Sequence, residues 1–290
     1  MTATISRPIA EQDFLEKNQI LAMRWARCLC KEKDCRHYHQ FRPLWRRLGS
    51  VTSPFVHNGF HRQSLDLLRT QARSKILIAG TADFGLPASV LDACNALAIK
   101  VDLTVIDLCS LPLLLTRCWA RTVKQAVETL TTDILDYRPG PLFDAVICDL
   151  LLSQVTLESR PKLLESLGAT LKSGGLLVMV NRLSQPTNGT GSKATSTEQR
   201  RFSDNIMQSL RRSPDINLEP GLVRTWARDY RIHRQNYPVA SSAEIDDCID
   251  PQGFHLVSNE IKPLSGKQEW RDGHDQTHPS RYIYSVYQKY

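Results

Sequence analysis

A chain of 290 residues, 41% hydrophobic and 23% charged, has the composition of a folded protein and the length for one large domain, or one domain with an appendage. No apolar stretch is long enough to span a membrane, and the N-terminus MTATISRPIAEQDF lacks the apolar core of a secretory signal, so a cytoplasmic protein without a membrane partner is expected. The formal net charge of +7 is moderately basic, and the eight cysteines follow no disulfide-framework spacing and are expected to be reduced.

Residues 1 to 70 read as a helical cap, followed by a main domain over residues 71–290. Basic residues crowd Arg24–Arg47 (Arg24, Arg27, Lys31, Lys33, Arg36, Arg42, Arg46, Arg47, against Glu32 and Asp34), and a second basic region runs from Arg200 to Arg234. Both suit solvated helix faces, and both suit an anionic substrate or nucleic acid. Tyr38, Phe41, Trp45 and Leu48 fall at helical spacing, giving an aromatic face that can pack on the domain or close over a pocket. Cys28, Cys30, Cys35, His37 and His39 form C-x-C-x4-C-x-H-x-H. That spacing matches no common structural metal site, and a continuous helix would point the side chains in different directions, so no metal is expected.

Strands and helices alternate from Lys75. Lys75–Ala79 reads as a buried strand, followed by a helix with Val90, Leu91, Cys94 and Leu97 on one face. A second strand covers Asp102–Ile106. Pro112 opens a helix through Leu115, Trp119 and Val123, and a third strand, Val127–Leu130, ends before Asp133. The fourth, Phe143–Cys148, is apolar until Asp149. Pro161 starts a helix lined by Leu163, Leu164, Leu167 and Leu171, which Gly174–Gly175 ends before a fifth strand, Leu176–Val180. An insertion at about 182–240 follows. Its first part, Ser184–Thr197, is rich in Gly, Ser and Thr and predicts a mobile loop; helices are expected over Glu198–Arg211 and Gly221–His233. A short helix, Ala243–Ile249, precedes two strands, Phe254–Glu260 and Tyr282–Tyr287, separated by polar Ser265–Ser280. Cys94, Cys109, Cys118 and Cys148 read as small core residues.

The stretch with most chemical content is KILIAGTADFG, read with VDLTVID. The apolar run stops at Gly80 and passes through Thr81, Ala82, Asp83 and Phe84 to Gly85, where helix-compatible sequence begins. Small residues let the backbone approach a nucleotide, and a carboxylate past the next strand, Asp107, can accept both hydroxyls of a ribose. An adenosine-type cofactor is therefore expected.

The order of these elements resembles the class I S-adenosylmethionine-dependent methyltransferases over Lys75–Tyr290. The resemblance rests on ILIAGTADFG, VIDLCSLPLL, TTDILD, FDAVICDLL, LLESLGATLKSGGLLVMV and the terminal strand pair. It implies a Rossmann-like, doubly wound α/β fold with a seven-stranded sheet and an antiparallel C-terminal pair. It also implies an enzyme whose cofactor is S-adenosyl-L-methionine, with Gly80–Gly85 around the homocysteine part, Asp107 and Leu108 at the ribose, and Asp133 and Ile134 beside the adenine. Asp149 would face the crevice as a cofactor-binding or catalytic group; a loop or helix cap is the other role open to it. The family's usual acid near the end of the first strand is absent: Ile78 and Ala79 stand there, which leaves Asp83 as a possible replacement and a non-catalytic cofactor-binding module as a further reading. Gly80-x-Ala82-x-x-Gly85 also reads as a degenerate dinucleotide fingerprint. An NAD(P)-dependent oxidoreductase, however, places its acid about 20 residues on, closer than Asp107, and has no role for the terminal strand pair.

For the acceptor, Asp149 is followed by Leu150-Leu151-Leu152-Ser153, without the prolines and aromatic of base-amine methyltransferases, and no Pro-Cys pair of the cytosine-C5 kind occurs. Nucleic acid, RNA included, is thus disfavoured against a small-molecule O- or N-acceptor, with a carboxylate or phosphate that Arg42 and Arg46 would attract. Trp25, Tyr38, Phe41, Arg182, Trp226 and Tyr230 are the expected acceptor-site residues. Besides Asp149, the candidate bases are His57, His61 and His233.

Overall fold

The computed structural model describes residues 11–31, 35–139, 142–183, 192–263 and 281–290. Aliphatic runs without a polar break form the central strands: β1 (Ser74–Ala79), β2 (Val101–Asp107), β3 (Val127–Thr131) and β4 (Phe143–Asp149). They lie parallel, with Ile76 beside Leu103 on one side and Ala145 on the other. Helices α1 (Glu11–Leu29), α2 (Arg36–Arg47) and α3 (Asn58–Leu65) precede β1; α4 (Gly85–Ala96) and α5 (Ser110–Thr122) are the first crossovers, and α6 (Arg160–Ala169) leads to β5 (Leu171–Leu183). Then come β6 (Ser192–Lys193), α7 (Ser196–Arg211), α8 (Pro220–Ile232), β7 (Gln235–Asn236), α9 (Ser242–Ile249), β8 (Phe254–Pro263) and β9 (Arg281–Lys289). The large sheet has the order β3-β2-β1-β4-β5-β9-β8, with β9 antiparallel to both neighbours.

The period of two along each strand divides the core into two layers. Ile76 and Ile78 face one way, onto Val90, Ala93 and Cys94 of α4 and Leu65 of α3. Leu77 and Ala79 face the other, onto Leu163, Leu164 and Leu167 of α6 and Ile245 and Ile249 of α9. Both faces are covered, which is why the strands read as apolar runs. Among the described residues no helix is long and apolar enough to cross a membrane.

Three expectations change. The helix before Gly174–Gly175 ends at Ala169, and the glycine pair lies inside β5, where the register against β4 shifts between Phe143 and Ala145. Gly174 has φ +75°, and a Cβ on Gly175 would lie 2.9 Å from the Lys172 carbonyl oxygen, so the pair makes a bulge that side chains would not tolerate. The expected loop Ser184–Thr197 ends early: 184–191 lie outside the described residues, but Ser192–Lys193 pair with Gln235–Asn236 and α7 begins at Ser196. Thr195 Oγ1 accepts from the Glu198 N–H (3.2 Å) while Glu198 accepts from the Thr195 N–H (2.7 Å), a T-x-x-E capping box written in the sequence. Expected Ser265–Ser280 also lies outside the described residues.

The aromatic stripe of α2 packs on the insertion. Phe41, Leu44, Trp45 and Leu48 meet Phe202, Ile206 and Met207 of α7 and Val223, Ala227 and Tyr230 of α8, forming a second core apart from the sheet. Full burial of each large apolar side chain is worth about 1.5–3 kcal/mol, enough to hold cap and insertion together.

Candidate functional site

A cavity of about 520 Å³ opens at the carboxyl edge of β1, β2 and β4, under α2 and the segment that follows α8. Gly80 ends β1 by donating its N–H to the Ile106 carbonyl (2.9 Å) at φ +76°, where a Cβ would come within 3.0 Å of Leu151. The chain then turns so that the Thr81 N–H donates to Asp107 Oδ2 (2.9 Å), while the Cys109 N–H donates to Oδ1 (2.7 Å). Each oxygen of Asp107 thus has one backbone donor and a lone pair left over, as a vicinal diol requires. Burial raises the Asp107 pKa; the His39 charge and the two N–H bonds oppose that rise. Ala82, Leu108, Asp133 and Ile134 also line the cavity, and Asp133 Oδ1 accepts the Leu135 N–H (3.0 Å), which fixes the turn after β3. Glycine turn, diol acceptor and flanking residues lie in one cavity and fit an adenosine cofactor.

Two residues of the glycine turn have other roles. Phe84 is buried below the cavity against Phe14 and Trp119. Gly85 answers to Arg46, which reaches over from α2 to pair with buried Asp83: a Cβ on Gly85 would lie 2.6 Å from Arg46 Nη1. The Gly85 N–H also donates to Asp83 Oδ1 (2.7 Å). Asp83 therefore holds the cap to the turn through Oδ1, while it also lines the cavity, with Oδ2 buried and without a hydrogen-bond partner.

Asp149, at the end of β4, lines the cavity with its Oδ1 buried and without a hydrogen-bond partner. No capping hydrogen bond from it occurs among the described residues. Burial pushes its carboxyl up to about 7, against the pull of the Arg42 charge. The next residue, Leu150, is left-handed at φ +58°, held by its N–H to Val180 O (2.8 Å) and by the Ser153 hydroxyl on its carbonyl (2.7 Å). A non-glycine residue in that region costs about 1–3 kcal/mol, strain of the kind that collects at functional sites.

Of the expected acceptor residues, Tyr38 lines the cavity. Phe41, Trp226 and Tyr230 belong instead to the second core, with Phe41 stacked on Trp226 at 5.3 Å and Tyr230 on Phe202 at 5.5 Å. Trp25 is 39% exposed, beside Arg24 and away from the cavity. Arg182 lines a smaller adjoining cavity of about 100 Å³ with Arg42, Arg231, Arg234 and one acid, Glu198; Arg42, Leu150 and Arg234 border both spaces. Of the expected bases, His233 reaches the main cavity, stacked on His37 at 3.8 Å with Nδ1 donating to the Asp229 carbonyl (2.9 Å). His57 and His61 are buried outside both cavities, against the Tyr284 hydroxyl and the Ser89 hydroxyl (both 3.1 Å), and burial lowers His61 to about 4. His61 is thus a neutral packing residue.

The cysteine-histidine motif also departs from expectation, because α1 ends at Leu29 and α2 starts at Arg36. With the helix broken, Cys30, Cys35 and His39 converge on Cys109, their ligand atoms all within 4.8 Å of one another; Cys28 and His37 are not in this group. Cys109, expected as a plain core residue, is drawn in by the turn after β2, and only the fold brings it there. Hydrogen bonds with the Cys109 and Cys30 thiols hold Cys35 well below the ordinary thiol range, while hydrogen bonds with Cys109 and Cys35 push Cys30 up. Burial disfavours a charged His39, but hydrogen bonds to Cys109 and Cys35 outweigh it and raise the imidazole to about 10. Sequence reasoning also missed the Arg46–Asp83 pair and the part played by Glu198 and Arg231; the one available signal was the place of Arg46 and Arg231 in the two basic segments.

No protein-family model matches the sequence, and no curated protein does. Solved structures match in fold. An S-adenosylmethionine-dependent methyltransferase of Clostridium acetobutylicum superposes with a TM-score of 0.53 at 11% identity, over 87% of this chain and 96% of that one. A protein of Galdieria sulphuraria, provisionally described as a sarcosine dimethylglycine methyltransferase, gives 0.51 at 10% identity over 80% and 84%. The N-methyltransferase NodS of Bradyrhizobium japonicum, solved with S-adenosyl-L-homocysteine, gives 0.47 at 15% over 80% and 85%. The fold is that of the class I S-adenosylmethionine-dependent methyltransferases. Its reversed strand β9, set between β5 and β8, departs from the 3-2-1-4-5-6 order of the dinucleotide-binding fold.

Proposed function

We propose that the protein is an S-adenosylmethionine-dependent methyltransferase acting on a small, anionic O- or N-acceptor. The observation that carries the reading is Asp107: both carboxylate oxygens are oriented by backbone N–H groups of the two loops that meet at the cavity, each with acceptor capacity left for a ribose diol. Gly80, Thr81 and Ala82 would cradle the amino-acid end, and Asp133 and Ile134 the base. The cofactor supplies a methyl group on a sulfonium, so the protein's own work is to position, exclude water and accept a proton.

Asp149 suits the last task. A carboxylate that titrates near 7 can take a proton from a hydroxyl or ammonium acceptor at neutral pH, and its buried oxygen has no competing partner. His233, on the same wall, is the second candidate. The adjoining cavity favours an acid group on the acceptor: four arginines, Arg42, Arg182, Arg231 and Arg234, line it with one acid, Glu198. An acceptor whose carboxylate or phosphate sat there would reach past Leu150 toward Asp149. In this reading residues 1–70 form a cap and 182–240 an insertion, and together they roof a methyltransferase domain that begins near residue 71.

Calorimetry tests the proposal directly. S-adenosylhomocysteine should bind the wild type at one site, and NADH and NADPH should not. Tight NADPH binding with no heat from S-adenosylhomocysteine would replace the methyltransferase reading with an oxidoreductase.

A further inference from the structure

We propose that Cys30, Cys35, His39 and Cys109 ligate a single Zn²⁺ ion that clamps the N-terminal helices onto the loop after β2. Three sulfurs and one imidazole nitrogen, mutually within 4.8 Å, are a Cys₃His donor set converging on one point. At Zn–S of about 2.3 Å and Zn–N of about 2.0–2.1 Å, a tetrahedral ion requires sulfur–sulfur edges of roughly 3.8 Å and sulfur–nitrogen edges of roughly 3.6 Å. Two of the six edges are 3.6 Å for Cys30 Sγ to Cys109 Sγ and 3.8 Å for Cys30 Sγ to His39 Nδ1, and the other four lie within 4.8 Å. A disulfide needs about 2.05 Å, so these thiols are adjacent without being bonded.

The local structure favours thiolates. Cys35 and Cys109 are the N-cap residues of α2 and α5, and neither side chain makes a capping hydrogen bond; each sulfur sits at the positive end of a helix, and Cys109 Sγ turns toward Cys30 Sγ and the Leu29 carbonyl (3.8 Å). Cys35 and His39 are one helical turn apart and share a face, while Cys30 stands just past the end of α1. Cys30-x4-Cys35 falls within the usual ligand spacing of structural zinc sites. On binding, the protons held by the thiols and by the His39 imidazolium pass to solvent, and the ion takes three thiolates and one neutral imidazole. Four protein ligands leave no open position, so the ion is structural.

Its place gives it a role. Cys109 is two residues beyond Asp107 and donates its N–H to that carboxylate, while Cys35, His39 and Cys109 form part of the main cavity wall. The ion would join the end of α1, the first turn of α2 and the first turn of α5 at the rim of the cavity, closing a long loop between His39 and Cys109. The site stands on its own donor geometry and does not depend on the cofactor assignment.

The full-length chain should be purified from zinc-supplemented culture, desalted and analysed for metal. About one zinc per chain is expected in the wild type and in Cys28→Ser, whose thiol lies outside the group, and at least tenfold less in Cys35→Ser and Cys109→Ser. Because a serine variant can fail to fold, chelator-stripped wild type should also be titrated with Co²⁺, with thiolate charge-transfer and tetrahedral d–d bands saturating near one equivalent. Zinc-free folded wild type without cobalt bands would overturn the proposal. So would equal metal loss in Cys28→Ser and Cys109→Ser, or an intact mass two hydrogens light that maps to a disulfide within the group.

Discussion

Asp149→Asn should stabilise the protein at alkaline pH while removing most of its activity. The aspartate lies at the end of β4 with a buried oxygen that nothing satisfies, and burial raises its carboxyl from 3.8 to about 7. A group whose pKa is higher folded than unfolded holds an extra proton in the native state between those values. Stability is therefore unaffected below about pH 4, lost progressively as pH rises to 7, and fully penalised above it. A rise of that size sets a ceiling of about 4 kcal/mol. The side chain borders an open cavity and has Arg42 nearby, so about half of that, roughly 2 kcal/mol, is the expected gain for the neutral isostere at pH 8.5. In a chain of this length that is a rise of roughly 4 °C in Tm. Thermal and urea unfolding of wild type and Asp149→Asn at pH 4 and pH 8.5 measure it. A stability difference identical at the two pH values would refute the reasoning, because it would show that the carboxyl titrates alike in folded and unfolded chains. In turnover assays the variant should lose about 10²–10⁴-fold in rate, and the wild-type rate should climb with pH through about 7. A wild-type profile flat across that range would remove Asp149 as the base.

Three further outcomes are expected. Asp107→Ala should weaken S-adenosylhomocysteine by about 1.5–3 kcal/mol, roughly 10- to 150-fold, the range for hydrogen bonds to a charged group; calorimetry giving an affinity within threefold of wild type would dismiss the ribose assignment. Arg46→Met leaves Asp83 buried without its cation and should cost about 3–5 kcal/mol in urea unfolding, much of it recovered by Arg46→Met with Asp83→Asn; equal stability of wild type and single variant would mean the pair does not hold the cap. Deleting residues 1–50 strips Phe41, Leu44 and Trp45 from the core shared with α7 and α8, so circular dichroism and proteolysis should report a disordered insertion along with lost activity; an intact, protease-resistant insertion would refute that.

The sequence by itself determined the sheet and the glycine turn that ends β1. Strands buried on both faces are continuous apolar runs, and the turn at Gly80 needs a residue free to adopt φ +76°, so Ile76–Gly80 could be read locally. Asp107 could be placed for the same reason, because it follows directly from the end of its strand. Even the T-x-x-E start of α7 was written in four adjacent residues, although the polar composition around it pointed to a loop. Tertiary structure decided what depends on which distant segments meet. The stripe on α2 showed an apolar face without its partner; only the fold chose the helices of the insertion over the cofactor, which took Phe41, Trp226 and Tyr230 away from the cavity and left Tyr38 in it. Gly85 looked like part of a nucleotide turn, yet its missing Cβ makes room for an arginine 39 residues earlier. Cys30, Cys35 and His39 formed no recognisable ligand set because the fourth donor, Cys109, lies beyond two helices and two strands. Periodicity and spacing report what a residue does within its own element, whereas long-range contacts are fixed by packing the whole chain.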